Sequence, residues 1–160
     1  MAATFQFSQT YGASPGTVGD IGDGTGGNYW NFKNADDATP ANYSTYPIPA
    51  GNDSYEVYIR GHFTGTFNSI GNLFFWASTL SLTGYGTGAS LKASVQAAYA
   101  TPAVAANGDS AIPTTQGTGL APTYAAAYSQ YLRMQLHTVN TSPVPGDGGV
   151  STLSLQWDES

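Results

Sequence analysis

A strict two-residue alternation over residues 54–63, SYEVYIRGHF, constrains this chain more than any other feature. Tyr55, Val57, Ile59 and Phe63 fall on one face of an extended strand, and Glu56, Tyr58, Arg60 and His62 on the other. Successive side chains of a strand point to opposite sides, whereas a helix would scatter both sets around its circumference. Gly61 interrupts the apolar face, which predicts either a bulge or a close approach by another element. The same period returns in Leu132, Met134 and Leu136 against Arg133, Gln135 and His137. It returns again in Leu153, Leu155 and Trp157 against Ser154, Gln156 and Asp158, and at the start in Phe5 and Phe7 against Gln6 and Ser8.

Residues 141–149, TSPVPGDGG, are dense in turn formers, so the last two alternating runs read as a hairpin closing the domain. Residues 72–78, NLFFWAS, form a short apolar run that suits a strand buried on both sides or covered by a neighbour. Residues 91–99 place Leu91, Ala93, Val95, Ala97 and Tyr99 opposite Lys92, Ser94 and Gln96. Gly84, Gly86, Gly88 and Pro102 leave no room there for a long helix, so this too reads as a strand. Residues 124–131 suit a helical turn leading into the next strand. Two stretches resist assignment to strands: a Gly/Asp loop over residues 14–27 and a Pro/Gly/Ala/Thr-rich stretch over residues 101–122. A structureless loop as long as the second is uncommon inside a compact domain, and it reads as an arm laid on a neighbouring subunit. Short strands joined by Gly/Pro-rich connections, without an internal repeat, predict one all-β domain over residues 1–160. The expected architecture is an antiparallel β-sandwich of jelly-roll type with long loops at about 14–27 and 101–122.

Composition narrows the function. Charged residues make up 9% of the chain and the net charge is −6, with four Lys and Arg in all. Lys33, Arg60, Lys92 and Arg133 stand singly, so the chain lacks the clustered cations that neutralise phosphates, and nucleic acid is not an expected partner. Cysteine is absent, which excludes disulfides and thiolate metal sites. No run approaches the length of a membrane span, and the first residues, MAATFQFSQTYG, carry neither the basic segment nor the apolar run of a secretory leader. The polar surface is built from Tyr, Thr, Ser, Asn and Gln, a composition suited to contacts between subunits or with glycans.

Four sets of residues invite a chemical reading. Glu56, Arg60 and His62 share a strand face, as do Arg133 and His137. If the two strands are neighbours, a carboxylate, two imidazoles and two guanidiniums meet on one surface, the raw material of acid–base catalysis; an ordinary solvated face with ion pairs is the simpler expectation. Asp20, Asp23, Asp36 and Asp37 supply oxygen ligands, but in neither the EF-hand nor the nonapeptide calcium spacing, and Asp is equally a turn former. GDGTGG at residues 22–27 and GYGTG at residues 84–88 lack the Lys-Ser/Thr ending of a phosphate loop and read as turns. Tyr29, Trp30, Tyr43 and Tyr46 cluster in NYWNF and NYSTYP beside amides. Exposed, they would form a platform for a glycan or a subunit; buried, they are core. All three residue types of a Ser/His/Asp triad occur, without a G-x-S-x-G elbow. The expectation is therefore a protein without catalytic residues, cofactor or metal.

Residues 42–79, NYSTYPIPAGNDSYEVYIRGHFTGTFNSIGNLFFWAST, and the closing STLSLQWDES resemble small β-rich virion proteins of tailed phages and related viruses, of the capsid decoration (cement) type. The features in common are a PI-x-x-G turn into a strand, a G-T-F turn into an aromatic strand, and a last strand at the end of the chain. The resemblance implies a non-enzymatic structural role: many copies, a homo-oligomer with a trimer as the expected form, bound to the major capsid protein or other virion subunits, made in the host cytoplasm and carried in the virion. The rival expectation is a carbohydrate-binding or receptor-binding β-sandwich of a tail or fibre, working through Tyr29, Trp30 and neighbouring Asn residues.

Overall fold

The structure is a computed structural model and describes residues 2–22, 30–37, 39, 44–139 and 151–160. Among the described residues, ten strands carry the fold. They are β1 (Ala3–Tyr11), β2 (Thr17–Gly22), β3 (Val57–Gly65), β4 (Ile70–Thr79), β5 (Ser90–Gln96), β6 (Ser110–Ala111), β7 (Tyr124–Ala125), β8 (Tyr128–Ser129), β9 (Tyr131–His137) and β10 (Thr152–Glu159). Eight form one wide antiparallel sheet in the order β2-β1-β3-β9-β5-β6, with the β7–β8 hairpin joined to β3 through β8. β10 and β4 form a second, two-stranded layer. The β-sandwich expectation holds, and this strand order does not establish the jelly-roll connectivity.

The core lies between the layers, as the alternation requires. Ile59, Phe75, Leu132 and Leu136 are fully enclosed, with Phe7, Val57, Leu91 and Met134 around them. A second group, Phe63, Ile70 and Leu73, gathers with Phe5, Tyr124 and Trp157 at one end. Trp157 of the small sheet lies 5.1 Å from the Phe5 ring and 5.5 Å from the Phe63 ring. Gly61 is a place of close approach and not a bulge: its pairing with Phe7 is in register, and a Cβ there would sit 3.0 Å from Leu155 Cδ2.

Four expectations are corrected. The two C-terminal runs are not a hairpin, because β9 lies between β3 and β5 in the wide sheet while β10 pairs with β4. Alternation records which face is buried, not which strand is the neighbour; residues 140–150 between the two runs lie outside the described residues. The Gly/Asp loop at 14–27 contains β2, an edge strand on β1; its residues 23–27 lie outside the described residues. Residues 124–131 hold no helical turn. They make the tight β7–β8 hairpin, with Ala126 and Ala127 at φ 50° and 76°.

The stretch at 101–122 is not an arm reaching away from the domain. β6 pairs with β5, the Ile112 N–H donates to Leu91 O, the Ala77 N–H donates to Pro113 O, and Leu120 exchanges both backbone bonds with Phe75. It is a strap that runs from the edge of the wide sheet to the edge of β4, where its backbone groups find partners the composition could not announce.

Candidate functional site

The outer face of the wide sheet concentrates the polar chemistry. β3 presents Tyr58, Arg60 and His62, and strand register sets their neighbours. Tyr58 stands between Thr10 of β1 and Arg133 of β9, Arg60 beside Ser8, and His62 between Gln6 and Tyr128 of β8. β3 and β9 are thus adjacent, and Glu56, Arg60, His62 and Arg133 share one surface. His137 does not join them. It lies at the far end of β9, with its Nδ1 2.9 Å from Asp53 Oδ1.

One half of this surface is a closed ion-pair network. The Arg133 guanidinium donates through Nε and Nη2 to both oxygens of Asp109, at 3.0 and 2.6 Å, and Glu56 Oε1 lies 3.5 Å from Nη1. The Asp109 and Glu56 side chains are 8% and 7% exposed. Glu56 also accepts the Ala103 N–H at 3.2 Å. Asp109 and Ala103 both come from the strap, which covers this side of β9 and bonds Gln135 through the backbone of Ala105 and Asn107, while Ser54 O, ahead of β3, accepts from it too. Hydrogen bonding to Asp109 holds the Arg133 guanidinium more firmly protonated than usual. Tyr58, 1% exposed, packs edge-on against Tyr99 at 5.0 Å and Tyr131 at 6.0 Å. Burial raises the phenols of Tyr58 and Tyr99 above their ordinary value, and the Tyr99 hydroxyl donates to Gly12 O.

The other half is a row of stacked groups. Asp20 of β2 accepts hydrogen bonds from Ser8 Oγ and, at 2.6 Å, from Gln6 Nε2, and His62 Nδ1 lies 3.2 Å from it. The His62 ring stacks on Tyr128 with centroids 4.3 Å apart, and the Arg60 guanidinium lies 3.7 Å from the Tyr128 centroid and 4.8 Å from that of Tyr131. One ring face has no room for both an imidazole and a guanidinium at those distances, so Tyr128 is held between them. The left-handed Ala126–Ala127 turn, which places φ where alanine is strained, delivers Tyr128 to this position. Ser8, His62 and Asp20 are the residue types of a nucleophilic triad in the wrong order. Fully buried Ser8 donates to the carboxylate instead of facing the imidazole, which leaves it neither activated nor accessible.

The aromatic candidates separate. Trp30 turns inward, its ring 6.0 Å from Phe7. With Phe32, Leu82, Tyr85 and Met134 it walls a cavity of about 110 Å³ between the layers, with Ser81, Ser151 and Thr152 among its polar lining. Tyr46 is 42% exposed, and its carbonyl accepts the Asn34 N–H. Tyr29 and Tyr43 lie outside the described residues, as does Asp23. Asp36 accepts the Gly12 N–H, and Asp37 lies 3.4 Å from buried Lys33, which donates to Thr39 O. Asp20 is engaged elsewhere, on His62, and the described residues contain no group of three or more His, Cys, Asp or Glu placed to hold a metal. In the stretch at residues 84–88, a short 3-10 turn (Thr83–Tyr85) ends and Gly86 and Gly88 follow at positive φ. Among the described residues no helix is long and apolar enough to cross a membrane.

No family model matches the chain, and neither a curated protein nor a solved structure matches it. The residues that complete the outer face, Asp109, Tyr128 and Tyr131, were not singled out from the sequence. Asp109 lies 24 positions from Arg133, and nothing in local spacing links them.

Proposed function

We propose that this protein is a non-enzymatic structural component of a virion, a decoration protein that joins an assembled shell and its own neighbours through sheet-edge contacts. The observation that carries this reading is the outer edge of β10. Phe75 and Ala77 of β4 turn their backbone groups toward the strap, so Phe74 and Trp76 face β10, opposite Gln156 and Ser154. Backbone groups alternate along a strand, so Leu153 and Leu155 point theirs outward, where no described strand pairs with them. Residues 153–156, LSLQ, contain no proline and no charge, the devices that usually blunt an edge. The ion-pair network of the outer face supports the same reading, since Arg133, Asp109 and Glu56 serve the fold.

Charge selects the pairing direction. Asp158 and Glu159 lie at one end of β10, so parallel pairing of two copies sets carboxylate beside carboxylate. Antiparallel pairing centred on Leu155 sets Asp158 against Thr152 and Ser154 against Gln156 of the other copy. In solution, light scattering is expected to report an oligomer, and sedimentation with assembled tailed-phage shells a fixed stoichiometry. The pair S154E/Q156E places like charges across the edge and is expected to weaken self-association about tenfold, whereas S154K/Q156E retains it. A monomer that ignores shells overturns the proposal.

A further inference from the structure

We infer that Arg60 is a receptor for a carboxylate, presented by an acidic side chain of a protein partner. The four cationic side chains of the chain are all described, and three of them are engaged. Lys33 has Thr39 O and Asp37, Lys92 has Asn107 O, and Arg133 has Asp109 and Glu56. Arg60 has no carboxylate or carbonyl among the described residues, and its Nε is buried without an acceptor. That enclosed Nε is out of a partner's reach, whereas the Nη groups are not among the enclosed unpartnered atoms and are the donors left to bond. Asp20, across Ser8 from Arg60 in the sheet register, is already held by Ser8, Gln6 and His62.

The guanidinium is also pre-positioned. Tyr128 lies against it at 3.7 Å and Tyr131 at 4.8 Å, so its plane is held and its Nη1/Nη2 end is the part left to bond. A planar fork of donors matches a carboxylate bidentately. Among the described residues Arg60 has neither a counter-charge nor an oxygen acceptor, whereas Lys92 has the Asn107 carbonyl, and this favours an acidic group on a partner. Both faces of Tyr128 are occupied, by Arg60 and His62, so that ring is not available for a sugar to stack on. A protein carboxylate is therefore favoured over a sugar acid. The inference does not rest on the assembly reading above.

The test is a titration of ¹⁵N-labelled protein, following the Arg60 Nε–H resonance and the Tyr131 ring signals. Sodium acetate is expected to shift them saturably, with a Kd of about millimolar order, while sodium chloride at equal ionic strength does not. Arg60→Met is expected to abolish the response, and Arg60→Lys, which keeps the charge and loses the fork, to weaken it about tenfold. An acidic peptide, hexaglutamate, is expected to bind more tightly than acetate, and oligogalacturonate no more tightly than acetate. Identical shifts with acetate and chloride, or an undiminished response in Arg60→Met, overturn the carboxylate site. Preference for oligogalacturonate over hexaglutamate overturns the protein partner.

Discussion

Arg133→Met tests whether the closed half of the outer face stabilises the fold through charge. The substitution keeps most of the apolar stem and removes the counter-charge of two carboxylates, Glu56 and Asp109, that are 7% and 8% exposed. Removing one partner of a buried ion pair costs about 3–5 kcal/mol, mostly from the charge left behind. The lower end applies. Glu56 keeps the Ala103 N–H, and Asp109 sits on the strap next to β6, where a small local rearrangement returns it to water. The expected loss is about 3 kcal/mol in urea unfolding with an unchanged slope, or ~10 °C in Tm for a chain of this size. The triple variant E56Q/D109N/R133M removes the orphaned charges and is expected to recover most of that loss. A single variant within about 0.5 kcal/mol of the parent would show that the network behaves as an exposed pair and refute the reasoning. A triple variant as unstable as the single one would assign the loss to packing instead.

Gly61→Ala inserts a methyl 3.0 Å from Leu155 and 3.1 Å from the Phe5 and Phe63 rings. It is expected to cost about 1–2 kcal/mol by equilibrium unfolding, and unchanged stability would mean the layers are not in contact there. A126N/A127G gives the β7–β8 turn residues that accept the left-handed conformation. It is expected to add about 1 kcal/mol, and a Tm at or below the parent's would contradict strain at that turn. Burial raises the phenols of Tyr58, Tyr85 and Tyr99 above 10.0, so below that pH neither state is ionised and stability is unaffected. Above it the unfolded chain gives up protons that the native state retains, and stability falls as pH rises through the native values. Phenolate absorbance is expected to appear together with loss of the far-ultraviolet signal; gradual ionisation with the signal intact would contradict it.

Several features follow from the sequence alone. Alternation at residues 54–63 correctly separates Val57, Ile59 and Phe63 from Tyr58, Arg60 and His62, because side-chain direction along a strand is a local property. The break at Gly61 correctly signals a close approach, since only a missing Cβ admits Leu155 so near. Turn-rich composition gives the all-β class. Pairing is a different matter. Whether β9 turns back on β10 or lies between β3 and β5 depends on contacts between residues far apart in the chain, and period two is the same in both cases. Likewise, the sequence leaves Trp30 open between an exposed platform and core, and its packing against Phe7 decides that it is a cavity wall. The polar side of β3 reads as wet, yet Tyr58 is enclosed, because Tyr99 and Tyr131 pack on it while the strap satisfies Glu56 and Gln135 on the same face. Tertiary structure alone decides that Arg133 finds Asp109, Lys92 finds the Asn107 carbonyl and Arg60 finds neither kind of acceptor among the described residues, since such partners meet through space and leave no spacing in the chain.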